Sequence, residues 1–162
     1  MWRSSRGLPS GPVDAVMVGL DRGFSYDRLT VAVRSVLAGA RLIGTNDDPT
    51  YPAADGLNPG GGSLLAAVSY ASGATPEVAG KPYEACADLV RDRLGITGED
   101  PDLVLVGDQP WTDGRMAKVL GARFALVLTG ITTAEQAPLC DPRPDVVAAD
   151  LATLVAEAFA GR

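Results

Sequence analysis

The residues best suited to do chemistry lie in Asp102-Leu-Val-Leu-Val-Gly-Asp108-Gln-Pro-Trp-Thr112-Asp113-Gly114. Leu103 to Val106 is a short apolar run without alternation, which suits a strand buried on both faces of a parallel sheet. Gly107 ends the run, so Asp108 falls at the carboxyl end of a strand, the edge at which open α/β sheets bind their ligands. Asp113 follows shortly after, and two acids at such an edge suit a hard cation. A second reading of Asp113 stays open, because Thr112 and Asp113 can also cap the helix carrying Met116, Val119 and Leu120. Lys81, in the rigid turn Gly80-Lys81-Pro82, brings a point charge suited to a phosphate or to a group of carboxylates; an ordinary surface lysine is the alternative.

The totals narrow the chemistry further. The chain has 162 residues, 46% of them hydrophobic, which is enough for one sizeable core or two small lobes. With 14 basic and 20 acidic residues the formal net charge is -6, and no basic run of the nucleic-acid type is present, so nucleic acid is not an expected partner. The sequence contains no histidine, which removes serine-histidine and cysteine-histidine mechanisms and histidine-based metal sites. Acid-base work is left to carboxylates and lysine. Two cysteines, Cys86 and Cys140, are too few for a disulfide framework or a cysteine zinc site, and they read as thiols of a reducing cytoplasm. No apolar run reaches the length of a membrane span, and Met1-Trp-Arg-Ser-Ser-Arg-Gly has no apolar signal core, so the expected location is cytoplasmic, without a membrane partner.

The elements that must position these residues follow in chain order. Residues 1–12 are polar, without periodic pattern, and are expected to form a disordered tail in which Met1 need not be the natural start. Val13 to Val18 reads as a strand, Ser25 opens a helix with Leu29, Val33, Val36 and Leu37 on one face, and Arg41 to Asn46 reads as a second strand, giving a parallel strand-helix-strand unit. Asp21, after the first strand, reads as a turn acid before Arg22-Gly23, with a nucleophile or metal ligand as the alternative. Asp47 to Pro59 reads as a long turn-rich loop. At its start Thr45, Asn46, Asp47, Asp48 and Thr50 can line a polar pocket or simply form turns. Gly60-Gly-Gly-Ser63 opens a helix and admits either an anion or close packing against a neighbour. After a boundary at Gly73 to Pro76, a helix is expected with Cys86, Leu89, Val90 and Leu94 inward and Arg91, Asp92 and Arg93 mainly outward. Strands at Leu103 to Val106, Phe124 to Leu128 and Asp145 to Ala148, with helices from Thr112 and from Leu151 to Phe159, complete an α/β reading.

Four motifs in this order, Thr45-Asn-Asp-Asp-Pro-Thr-Tyr-Pro52, Gly80-Lys81-Pro82, Gly107-Asp108-Gln-Pro-Trp-Thr112-Asp113 and Leu126-Val-Leu-Thr-Gly130, closely resemble the haloacid dehalogenase (HAD) superfamily. The similarity is to its IIA branch of NagD-like and nitrophenyl-phosphatase-like enzymes. The resemblance implies that residues 13–74 are the later part of an inserted α/β cap domain, and that residues 75–162 are the C-terminal half of a Rossmann-like hydrolase core with a parallel sheet. It further implies a magnesium-dependent phosphatase acting on small organic phosphate monoesters. Asp108 then matches a metal ligand and Asp113 a second acid that supports the metal shell directly or through water. Lys81 matches the lysine that steadies nucleophile and phosphate charge. Residues 46 to 51 match the cap segment that helps choose the substrate. Gln109 stands where relatives often carry arginine.

One departure accompanies the resemblance. The family nucleophile lies in an Asp-x-Asp-Gly motif at the end of the first core strand, and a serine or threonine motif follows on the second. Neither is present here: Asp100-Pro-Asp102 precedes a strand, and Gly19-Leu-Asp21 has glycine at the nucleophile position. The expectation is a truncated or split phosphatase, inactive alone unless a companion N-terminal polypeptide supplies the nucleophile. Because the absent strand would lie beside Leu103 to Val106, an apolar edge should be bared. The alternative is a non-catalytic binding or assembly module that uses this edge, as a homo-oligomer or with another partner. A phosphorylated receiver domain shares the acids, threonine and lysine, but places its lysine last, whereas Lys81 precedes Asp108.

Overall fold

The computed structural model describes residues 11–98, 100 and 102–159, which form two compact units, Met1–Gly80 and Lys81–Arg162. Apart from Gly11 and Pro12, the expected tail 1–12 lies outside the described residues.

The first unit runs β1 (Ala15–Val18), α1 (Tyr26–Leu37), β2 (Arg41–Gly44), β3 (Thr50–Ala53), β4 (Gly56–Pro59), α2 (Gly61–Ser72) and β5 (Glu77–Val78). β1, β2 and β5 form a parallel sheet in that order, with Ala15 opposite Arg41 and Ile43 opposite Glu77. α1 begins where Ser25 accepts a hydrogen bond from Arg28 N–H, as a serine N-cap should. Its apolar stripe joins α2 over one face of the sheet, where Val18, Val36, Leu42, Leu65 and Val68 form the core. The sheet pairing of Glu77–Val78 carries the first unit past the Gly73-to-Pro76 segment.

The stretch expected as a long loop after Asn46 instead contains a hairpin. Thr50 pairs with Pro59 and Ala53 with Gly56, around Ala54-Asp55, and Gly56 takes a positive φ of 130°. Pro52 and Pro59 mask it in sequence, yet a two-stranded ribbon tolerates proline because each strand has an open side.

The second unit runs α3 (Glu84–Leu94), β6 (Val104–Gly107), a π-helical turn (Pro110–Gly114), α4 (Arg115–Leu120), β7 (Arg123–Val127), a 3-10 turn (Ala137–Leu139), β8 (Val146–Ala148) and α5 (Leu151–Phe159). The sheet is parallel in the order β6-β7-β8. β7 is the central strand, and its Phe124 to Val127 are buried, as a strand covered on both faces should be. Phe124 N–H donates to Asp145 Oδ2 (2.7 Å) and Asp145 N–H donates to Phe124 O (2.8 Å), which fastens the entry of β8 to β7.

Four expectations need correction here. β6 is not buried on both faces: it pairs with β7 alone among the described strands, and Val104 and Val106 are 37% and 38% exposed. In α3 the inward residues are Ala87, Cys86 and Val90, which meet Met116 and Leu120, whereas Leu89 and Leu94 are exposed. Arg91, expected outward, lies along the protein and donates to Val119 O (2.6 Å), since an arginine stem covers apolar surface while its head finds a carbonyl. The helix expected from Thr112 begins as an α-helix only at Arg115, after the π-helical turn.

Candidate active site

The carboxyl end of β6 gathers the groups expected to act. Gly107 closes the strand, Asp108 follows, and the π-helical turn folds Asp113 back so that its Oδ2 accepts from Gln109 N–H (3.1 Å). Asp113 Oδ1 accepts from Lys81 Nζ at 2.6 Å. The Asp113 carboxylate is 4% exposed, while the Lys81 side chain is about half exposed. Burial of a carboxylate costs free energy unless such donors satisfy it, so Lys81 and the Gln109 amide hold Asp113, and Asp113 fixes the lysine in return. One oxygen of Asp113 braces the start of the turn and the other carries the ion pair.

Asp108, partly exposed, is held from the turn after β7, where Ile131 N–H donates to its Oδ2 at 2.8 Å. Two glycines make room for these acids. A methyl at Gly107 would lie 2.5 Å from Asp113 Cβ, and one at Gly130 would lie 2.5 Å from Asp108 Cβ, closer than real Cβ atoms approach anything. Gly107 and Gly130 thus serve the site by close approach, and sequence reading treated them only as strand ends. Thr112 is buried, with its hydroxyl 3.3 Å from Gln109 Oε1, so it stabilises the turn. Trp111 is exposed and carries the Arg115 guanidinium 3.5 Å above its ring.

The donor set can be tested against a hard cation. Among the described residues no group of three or more His, Cys, Asp or Glu side chains is gathered for a metal. Among the described residues Asp108 Oδ1 has no hydrogen-bond donor, while both oxygens of Asp113 have one. That chemistry fits a magnesium-type ion that keeps most of its water and takes one or two carboxylates together with phosphate oxygens. It does not fit an ion needing an all-protein cage.

In the first unit the expected cap residues also lie together, at the carboxyl ends of β1 and β2. Asn46 Nδ2 donates to Asp48 Oδ2 at 2.7 Å, and Tyr51 OH accepts from Arg22 Nη2 at 3.0 Å. Thr50 opens β3 and is exposed; Asp47 is exposed and engaged with a partner. The glycine-rich start of α2 is explained by packing: a methyl at Gly62 would lie 2.7 Å from Asp48 O, and Gly62 N–H donates to that same carbonyl. Asp21 is a turn acid, accepting from Gly23 N–H (2.8 Å) and pairing with Arg28. Arg22 went unremarked in sequence; an arginine directly after a strand-end turn was the available signal.

Comparison with known proteins decides the family. The HAD-hydrolase-like family matches residues 78–154. An acid sugar phosphatase of Staphylococcus haemolyticus is 35% identical over 145 residues, 90% of this chain and 54% of that protein. The chain belongs to the haloacid dehalogenase superfamily, in its IIA branch. A p-nitrophenyl phosphatase from Archaeoglobus fulgidus shares the haloacid dehalogenase fold with a TM-score of 0.81 at 37% identity, over 90% of this chain and 57% of that one. A glycerol phosphate phosphatase from Mycobacterium tuberculosis, crystallised in complex with magnesium, gives 0.75 at 36% identity, over 87% and 42%. The chain spans about half the length of the curated haloacid dehalogenase relatives it matches first. Among the described residues no helix is long and apolar enough to cross a membrane.

Proposed function

We propose that this chain supplies the metal and phosphate side of a haloacid dehalogenase phosphatase for small organic phosphate monoesters, working in the cytoplasm. The first unit then serves as part of the cap and the second as the C-terminal half of the core. The observation that carries the reading is the Lys81–Asp113 pair at 2.6 Å, beside Asp108 at the carboxyl end of a parallel strand. The relatives' names, acid sugar phosphatase and D-glycerol 3-phosphate phosphatase, support a small phosphorylated polyol as the substrate class.

In this reading Asp108 would hold magnesium, with Asp113 supporting its shell, and the bound ion would supply neutralisation of charge on the phosphoryl oxygens. Lys81, aimed by Asp113, places its ammonium against the same developing charge, which is where phosphoryl transfer gains most. Asn46, Asp47, Asp48, Thr50 and Tyr51 help choose the leaving group. The attacking carboxylate is not in these 162 residues, whose Asp100-Pro-Asp102 precedes β6 instead of ending a strand. It comes from polypeptide outside residues 1–162, and without it the chain does not turn over. Titration calorimetry with magnesium and inorganic phosphate tests the site itself. Saturable uptake that weakens at least about tenfold in Asp108→Ala is expected; equal uptake by both proteins would remove Asp108 from the site.

The exposed Val104 and Val106 on β6 favour a second reading, an assembly module that pairs through this edge and performs no chemistry. It predicts a discrete oligomer at low concentration, with magnesium uptake unchanged in Asp108→Ala.

A further inference from the structure

We infer that the solvent face formed by Trp111, Arg115 and Lys118 is a docking surface for an acidic peptide segment of another protein, which sets its carboxylates against the two cations. The surface lies wholly within the second unit and stands whether or not the chain serves a phosphatase.

Along the π-helical turn and α4, Thr112, Asp113, Met116, Ala117 and Leu120 are buried, and the exposed residues are Trp111, Arg115 and Lys118. Spacings of four and three residues put these on one helical face. That face holds an aromatic ring, two cations and no acid. In a chain of formal net charge -6 it is a local reversal of sign. The turn beside it extends the patch. A methyl at Gly114 would lie 3.2 Å from Pro142 Cδ, and Lys118 Nζ lies 3.9 Å from Asp141 Oδ1. These contacts bring the 3-10 turn that ends in Leu139 alongside α4, and Leu139 is 85% exposed.

The cations are poised for an outside partner. The Arg115 guanidinium lies 3.5 Å over the Trp111 ring, which restrains the fork. A stacked guanidinium keeps its N–H groups in its own plane, so two of them can still grip a carboxylate. Among the described residues no carboxylate lies within ion-pair distance of Arg115, and the exposed Lys118–Asp141 pair contributes little in water. Trp111 is itself 57% exposed, and tryptophan and arginine are the residue types that most often anchor protein interfaces. Arg115 and Lys118 stand roughly 5–6 Å apart at Cβ. Alternate residues of an extended peptide are roughly 7 Å apart, a gap that two long side chains close. A membrane or a nucleic acid would bring an extended negative field against a chain that is itself net negative. A short acidic segment brings carboxylates to the two cations and an apolar side chain to Trp111 and Leu139.

The test titrates the full chain, labelled with nitrogen-15, with the end-blocked peptide Leu-Ser-Glu-Ser-Glu and with its amide analogue Leu-Ser-Gln-Ser-Gln. At low salt the acidic peptide should shift the Trp111 indole and Arg115 amide signals saturably, with at least about tenfold the affinity of the analogue. The difference should shrink as salt is raised. Arg115→Gln should remove the preference, Arg115→Lys should keep part of it and Lys118→Gln should lower it, all with unchanged circular dichroism. If Arg115→Gln does not fold, Lys118→Gln carries the test alone, and an undiminished preference there overturns the inference. Equal affinity for the two peptides, a preference that survives in Arg115→Gln, or shifts centred on Lys81 also overturn it. So does self-association in sedimentation velocity, or binding to phosphatidylserine vesicles, that Arg115→Gln abolishes while neither peptide binds. The face would then belong to a second copy of the chain or to a membrane.

Discussion

The close approach of Gly107 to Asp113 yields a prediction with an internal control. In Gly107→Ala the new methyl starts 2.5 Å from Asp113 Cβ, and ordinary contact begins near 3.4 Å, so the carboxylate must retreat by about 0.9 Å or more. A retreat of that size lengthens both the 2.6 Å bond from Lys81 and the 3.1 Å bond from Gln109 N–H beyond good geometry. Each bond to a charged group contributes ~1.5–3 kcal/mol when buried, and the Lys81 half of the account is reduced because that side chain is half exposed. The expected loss is ~2–4 kcal/mol, read as a lower midpoint in urea unfolding followed by the second unit's tryptophan, Trp111. Asp113→Ala removes the group that clashes, so Gly107→Ala added to Asp113→Ala should cost less than ~0.5 kcal/mol more. Gly98→Ala, with open space around it, should stay within ~0.5 kcal/mol of the parent. Strict additivity of Gly107→Ala and Asp113→Ala would refute the argument, since it would mean the glycine is required for some reason other than the carboxylate.

Further outcomes follow from other contacts. Gly130→Ala presses on Asp108 and should weaken magnesium uptake about tenfold or more in calorimetry, with little change in the unfolding midpoint because Asp108 is partly exposed. Asp150 caps α5, and the amide of Thr153 holds its carboxyl below the ordinary range. Its stabilisation is present above the unfolded value near pH ~4 and is lost as pH falls through the lower folded value. Parent and Asp150→Ala should therefore differ in thermal midpoint at pH 7 and converge in strong acid. Val106→Lys puts charge on the open edge of β6 and should suppress concentration-dependent association measured by sedimentation velocity.

Sequence disclosed those parts of the fold in which one local rule operates. Ser25 before a periodic apolar stripe marks the start of α1, where its side chain accepts from Arg28 N–H. The hairpin at Thr50 to Pro59 was hidden because its prolines and Asp55-Gly56 read as turn chemistry throughout. Leu89 and Leu94 were misread because α3 meets α4 through a narrow strip around Ala87, which periodicity alone does not reveal. At the site, Asp108 and Asp113 stood out as carboxylates at a strand end, and Lys81 as a point charge in a rigid glycine-proline turn. What stayed hidden was backbone: the N–H groups of Gln109 and Ile131 that hold the two acids carry no side-chain signature. The glycine directly before Asp108 was the one sequence clue to that crowding.

The most direct measurement is phosphate release from nitrophenyl phosphate with magnesium, by the purified chain alone and then mixed with a polypeptide carrying an Asp-x-Asp-Gly strand. Silence alone, activity on mixing, and loss of that activity in Asp108→Ala are predicted. Turnover by the chain alone, or activity on mixing that persists in Asp108→Ala, would contradict the account.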